Sequence, residues 1–476
     1  MQSQSVGQSG ANQPASADKP LLTVLAEFAH SLEGDAIPSA VRDQAKLCLL
    51  DTLGCIIAGS VTAEASALQR AERRLSSGSG VLLSPSEEAR VLGYMGDVLE
   101  LNDLIGGHAS IGIVAAVIGA ARQADSSGEQ VVDAIVAGIE VTSRLYESTA
   151  WTKKPYTESG MVIPSLVSAI GAAAAVARLR GLSVAMTAEA MAIAGTIVSW
   201  GPAEVIFGTG GTIKPILFGA CPADSGIKGV EYALAGLTGP PHLIESPLGL
   251  MAALSHSFDE SEIRSPRVWH LLKPQRKLHA SCGYTHSSID AVVDLVRQGV
   301  NVAEAKRIKV QVPEYLLAAV RKDHMPETSN EARFHLQYCL ALAANGADFI
   351  SPAHTLEFER YAASPEIAAL ADRIEVTSLE ISGTIHAKPY NISRVTIEGH
   401  DGEIVEGGCN APRGSAANPL SDDDVVQKFR RLASARMADT EIESGISLIQ
   451  NLARPGNDQG LWAIIDDILE ADAKAS

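Results

Sequence analysis

From Lys277 to Asp290 the chain reads Lys-Leu-His-Ala-Ser-Cys-Gly-Tyr-Thr-His-Ser-Ser-Ile-Asp, placing Lys277, His279, Cys282, Tyr284 and His286 close together. A segment that only had to fold would not need this set. Imidazole titrates near neutral pH, so either histidine can take or give a proton, while an ammonium holds an anion. The spacing of His279, Cys282 and His286 also raises zinc. However, no fourth ligand of the usual kind is near in sequence and His286 belongs with the apolar helix that follows, so no metal is expected. A second polar group, Glu100, Asn102 and Asp103 followed by Gly106, Gly107 and His108, precedes the apolar run 111–120. The glycines allow a tight turn, and the next helix aims its positive end at whatever sits beside His108. An ordinary capping histidine fits the same spacing. Lys214 is the only cation in a long apolar neighbourhood, so it either snorkels to water or holds an anion such as a carboxylate. Just before it, the 208–212 loop with Gly210 and Gly211 has backbone N–H groups suited to a carboxylate or phosphate. It lacks the strand and the Lys-Ser/Thr ending of a nucleotide loop. Tyr338 is expected on a helix, sharing a face with Phe334 four residues earlier; a core tyrosine with a satisfied hydroxyl would read the same way.

Helices must position these groups. Ile37-Pro38-Ser39 opens a run with apolar residues at three- and four-residue spacing that ends at Gly59, and residues 129–146 and 164–182 repeat the pattern. The Gly-Ala-Ala-Ala-Ala stretch 171–175 suits helices buried on most sides. Near Pro274 the character changes. Residues 307–312, 374–377, 394–398 and 404–406 alternate at period two, with Asp401-Gly402 as a hairpin signal, and helices are expected over 287–298 and 332–344. The expected fold class is therefore mainly α, with a disordered tail over 1–20, an all-helical domain over 21–274, an α+β lid over 275–415, and C-terminal helices over 416–476 packing back on the helical domain.

A chain of 476 residues exceeds what one compact core usually supports, so two domains and a walled pocket are within reach. The formal charge of −18 disfavours nucleic acid and anionic membrane surfaces as partners, yet leaves room for local positive charge in a cleft. The six cysteines form no C-x-x-C pairs, which is the usage of a reducing cytoplasm and argues against an iron–sulfur cluster. The first residues lack a basic stretch followed by an apolar core, so no export is expected. The apolar stretch 169–177 is too short for a membrane span.

In order and spacing these segments resemble the MmgE/PrpD family. The resemblance is carried by Leu50-Asp51-Thr52-Leu53-Gly54, the acidic segment leading to His108, the small-residue helix, the Lys214 segment, Ser281-Cys282 with His286, Phe334 with Tyr338, and Asn418-Pro419-Leu420-Ser421-Asp422. It implies a helical domain with an inserted lid, usually homodimeric, binding a small anionic polycarboxylate between them without metal or organic cofactor. It implies site roles for Glu100, His108, Lys214, His286 and Tyr338, with Asn102, Asp103, Gly210, Gly211, Lys277 and Cys282 as further substrate-binding candidates. Two departures stand out. Glu-Leu-Asn-Asp replaces the family's common D-x-D-D run, and Val162-Ile163-Pro164-Ser165 lacks the histidine of a common His-Pro-Thr triplet, with Tyr156 a candidate for the vacated space.

The implied chemistry removes a proton from the carbon beside a carboxylate, and the charge that develops must be stabilised. Lys214 and the preceding loop would hold the carboxylate. One of His108 and His286 is then the base; the other protonates a leaving hydroxyl in a dehydratase of the 2-methylcitrate type, or returns a proton in an epimerase of the iminodisuccinate type. A decarboxylase of the cis-aconitate type is the third alternative.

Overall fold

The computed structural model describes residues 19–76, 83–150, 152–207, 211–264, 268–380 and 391–470. The expected tail lies almost wholly outside this set, and so does Gly210. The fold is mainly α, a large helical part accompanied by a smaller α+β part with one four-stranded sheet.

The helical part is built from apolar helices that begin where capping chemistry places them. Ser84 opens the helix Pro85–Asp97 with a capping box to Glu87, and Ser127 opens Gly128–Ser148 with a capping box to Gln130. The helix Pro164–Leu179 is buried along nearly its whole length and packs on Gly128–Ser148, Ala109–Ala124 and Cys221–Leu234. It stops three residues short of the expected end because Gly181 takes a left-handed turn at φ +64, which closes the helix. Among the described residues, no single helix is long and apolar enough to cross a membrane.

The sheet runs in the order β2-β1-β3-β4, from Arg307–Pro313 (β1), Ile374–Leu379 (β2), Ser393–Glu398 (β3) and Ile404–Cys409 (β4). β1 pairs with β2 in parallel and with β3 antiparallel, and β3 pairs with β4 antiparallel. Period-two burial of Ile308, Val310 and Val312 gives β1 one covered face. Gly402, at φ +86, makes the expected hairpin turn. The helix His286–Arg297 packs on β3 and β4, so its first residue projects from the α+β part.

One expected helix is broken. Instead of a continuous run over 332–344, Ser329–Ala332 and Leu336–Ala344 are separate helices. His335 interrupts them because its Nδ1 caps the second helix, accepting the Tyr338 N–H at 3.2 Å. Phe334 therefore lies outside that helix and shares no helical face with Tyr338.

The helix Asp422–Ala433 lies along Ser39–Gly59. There the buried Lys428 Nζ sits 2.7 Å from Asp51 Oδ1 and donates at 2.8 Å to the carbonyl of Leu101, tying the C-terminal segment to the loop that carries Asn102. Lys428→Met strands Asp51 in a dry core, and the denaturant midpoint should fall by the equivalent of about 3–5 kcal/mol. Adding Asp51→Asn should recover most of that loss; no recovery would mean that packing, not charge, sets the cost.

Candidate functional site

The site starts where two backbones nearly touch. Gly93 in the helix Pro85–Asp97 faces Gly219 in the turn Ile216–Ala220, so closely that a Cβ at Gly219 would lie 2.0 Å from the Gly93 carbonyl oxygen. This approach lets Lys214 Nζ donate to both oxygens of Asp97, at 2.9 and 2.8 Å, and to Glu100 Oε2. From the other side Lys277 Nζ donates to Glu100 Oε1 at 2.6 Å and to the Glu100 carbonyl at 3.2 Å. Glu100 thus bridges two ammonium groups, and both lysines are buried. Burial pushes the acid of Glu100 up, but Lys214 and Lys277 outweigh it and hold the carboxyl well below its usual range. For Asp97 burial wins, and its acid is raised.

His108 stands beside this cluster. It is the left-handed residue, φ +85, at the start of the helix Ala109–Ala124. Its ring meets Phe218 edge-on at 5.2 Å, while Lys214 Nζ lies 4.2 Å from the centroid of the Phe218 ring. Asn102 Nδ2 donates to His108 Nδ1 at 3.0 Å, which leaves the proton on Nε2. Burial first, then Lys277 and Lys214, hold this imidazole well below its ordinary pKa, so it is neutral at neutral pH.

His286 is buried at the head of its helix, and its Nε2 lies 3.3 Å from the Ser281 carbonyl. A carbonyl only accepts, so Nε2 carries the proton and Nδ1 keeps a lone pair. Burial and the neighbouring His279 and Lys277 hold His286 well below its ordinary value too. His279 packs edge-on against it at 4.9 Å and is fully engaged, Nδ1 accepting the Ile350 N–H at 3.2 Å and Nε2 donating to Asp290 at 3.0 Å. His279 therefore orients His286. Among the described residues no group of three or more His, Cys, Asp and Glu is placed to hold a metal ion.

The other sequence candidates divide. Cys282 is buried near Lys277 and Glu100, and burial pushes its thiol up to about 11; all six cysteines are free. Asp103 points away from the lysines, accepting from the Ser110 hydroxyl on the side of Asp51, Arg276 and Lys428. Gly211 is exposed with open space around it, while the adjacent Thr212 accepts the Tyr94 hydroxyl at 2.6 Å. Tyr338 is buried against His335 and Phe358, and its hydroxyl has no hydrogen-bond partner among the described residues. Ile163, at the position of the absent histidine, is fully buried, and Tyr156 hydrogen-bonds Tyr284 instead.

Sequence reasoning missed Asp97, Phe218 and Arg333. Asp97 carried a usable signal, since it is the one charge in the run 91–99, the same isolation that singled out Lys214. Phe218 looks like any core aromatic. Another missed group flanks His108: Tyr146 lies so close over Gly107 that a Cβ there would come within 2.3 Å of its ring, and Lys153 donates to the Tyr146 hydroxyl at 3.0 Å.

Known proteins match along nearly the whole chain. The human cis-aconitate decarboxylase is 26% identical over 466 residues, covering 91% of this chain and 92% of its own. A cis-aconitate decarboxylase from Aspergillus terreus is 23% identical over 471 residues, covering 90% and 93%. The cis-aconitate decarboxylase-like protein oryM of Aspergillus oryzae is 25% identical over 452 residues, covering 86% and 90%. The MmgE/PrpD N-terminal domain matches residues 23–262 and the MmgE/PrpD C-terminal domain matches residues 279–454. With both of its domains matched in order on either side of Lys277, the chain belongs to the MmgE/PrpD family, a family of enzymes that includes lyases.

Proposed function

We propose that this protein is a dehydratase-type lyase that removes a proton alpha to a carboxylate of a small di- or tricarboxylic acid, using only its own acid and base groups. The observation that carries the reading is a pair of buried, neutral imidazoles that both feel Lys277 and both carry their proton on Nε2, but engage their partners through opposite nitrogens, so that one keeps a free lone pair and the other a free N–H. His286, its Nε2–H spent on the Ser281 carbonyl, offers Nδ1 as the base. His108, with Nδ1 occupied by Asn102, offers Nε2–H as the acid that meets the departing hydroxyl. Lys277 and Lys214 stabilise the charge that develops on the carboxylate as the proton leaves, in a dry setting where that attraction is strong. Glu100 keeps both ammonium groups in place.

A second reading, decarboxylation, is favoured by one finding: each of the relatives named above is called a cis-aconitate decarboxylase or a protein like it. The same groups would serve, with His108 protonating carbon after carbon dioxide leaves. Incubation with citrate, 2-methylcitrate and cis-aconitate in deuterated water separates these outcomes. Loss of water with new ultraviolet absorbance supports dehydration, release of carbon dioxide supports decarboxylation, and exchange at carbon without loss supports an epimerase. No change in any acid ends the enzymatic reading.

The pH profile follows from the imidazoles. A base must be unprotonated, and the His286 pKa is depressed well below 6.5, so turnover should persist as the pH falls through the ordinary imidazole range and collapse only below it. An acid limb centred at or above pH 6.5 would show that another group, or a solvated His286, does the work.

A further inference from the structure

The charges in the site do not sum to zero. Lys214 and Lys277 are matched by Asp97 and Glu100, one ammonium for each carboxylate. Arg333 is left over. It lies on the turn between Ser329–Ala332 and Leu336–Ala344, only 5% exposed, with its carbonyl accepting the Cys282 N–H at 2.9 Å. That bond fixes Arg333 against the segment that carries His286. Its Nη2 donates to Asn330 Oδ1 at 2.9 Å, and its Nε is buried without a hydrogen-bond partner among the described residues. No carboxylate among the described residues forms an ion pair with it, and the negative charge that acts on it most strongly is Glu100, the residue shared by the two lysines. A guanidinium removed from water with an idle donor is expensive unless an anion completes it. Its flat fork matches a carboxylate better than any other cation does.

We infer that Arg333 receives a second carboxylate of the substrate, distal to the one held by the lysines, and so makes the site selective for acids with more than one carboxylate. The inference rests on the lyase reading for the position of the first carboxylate. It adds the part of the substrate that does not react, and a cation that contacts only that part discriminates between substrates through binding.

Two saturated acids that cannot undergo the reaction test it. Butyrate and glutarate differ by one carboxylate, the first having a single one, and their affinities for the full-length protein are measured by calorimetry. The wild type should prefer glutarate by about ten- to a hundredfold, the range of a hydrogen bond to a charged group. Arg333→Met should erase that preference while leaving butyrate binding within about twofold, and Arg333→Lys should keep the charge but lose part of the preference. Asn330→Ala, which removes only the partner of Nη2, should retain it. If Arg333→Met is too unstable to assay, the lysine variant decides: an undiminished preference overturns the inference. Equal weakening of both acids in the methionine variant, or no preference in the wild type, overturns it as well. Proton exchange in deuterated water without any preference ends this assignment and leaves the lyase; a preference lost with Arg333 but no exchange ends the lyase and leaves the subsite.

Discussion

His286→Gln should lower turnover by about 10²–10⁴-fold and leave glutarate affinity nearly unchanged. The substitution supplies a planar amide whose nitrogen reaches about as far as the ring Nε2, able to donate to the Ser281 carbonyl, so the local backbone has little reason to move. What vanishes is the lone pair of Nδ1, because an amide cannot accept a full proton near neutral pH. The imidazole is suited to the task because burial first, then its neighbours His279 and Lys277, keep it uncharged. Its direction is set from behind by His279, whose two nitrogens are occupied by Ile350 and Asp290. Single-turnover kinetics beside a binding isotherm check the split. A variant that turns over at more than about a tenth of the wild-type rate hands the base role to His108.

Lys277→Met should be the most damaging single change, because it strikes stability and chemistry together. Lys277 is fully buried, and its loss leaves one side of Glu100 facing hydrocarbon with only Lys214 to answer it. Breaking a buried pair in this way costs about 3–5 kcal/mol. The double variant Lys277→Met/Glu100→Gln removes the stranded charge, so its denaturant midpoint should return most of the way. Its turnover should not, since Lys214 alone would then face the carboxylate beside the reacting carbon, and Glu100 would no longer hold it in place by charge. Recovery of both would reduce Lys277 to a structural residue, and recovery of neither would mean that packing dominates.

The sequence carried the helical part well because its signals are local. Small residues at helical spacing, Pro38-Ser39 as the start of a helix that ends at Gly59, and Asp401-Gly402 as a hairpin all act within a few residues of themselves. The break before Leu336 was hidden because a histidine rarely caps a helix, and only the ring position of His335 reveals it. At the site, the isolation of Lys214 marked it, while its partner Asp97 sat one turn ahead of a more conspicuous acidic run and was passed over. Asn102 and Asp103 are adjacent yet face opposite ways, one towards His108 and the other towards Ser110, a difference set by the turn at Glu100 and not by residue type. Phe218, under both His108 and Lys214, is visible only in three dimensions.

Among the described residues Glu100, His108 and Asp125 are the non-glycine residues with positive φ, and two of them belong to this site. Holding a residue in so sparsely populated a region costs about 1–3 kcal/mol. The loop from 98 to 108 is therefore a loaded spring, latched by the lysines on Glu100 and by Asn102 on His108. Loosening the latch gives back torsional energy, which lowers the threshold for local unfolding in this one stretch relative to the helices around it. On the lyase reading, with the lysines sealed from water, an acid would reach them through such a breath of the loop, and the pace of that breathing would then cap turnover.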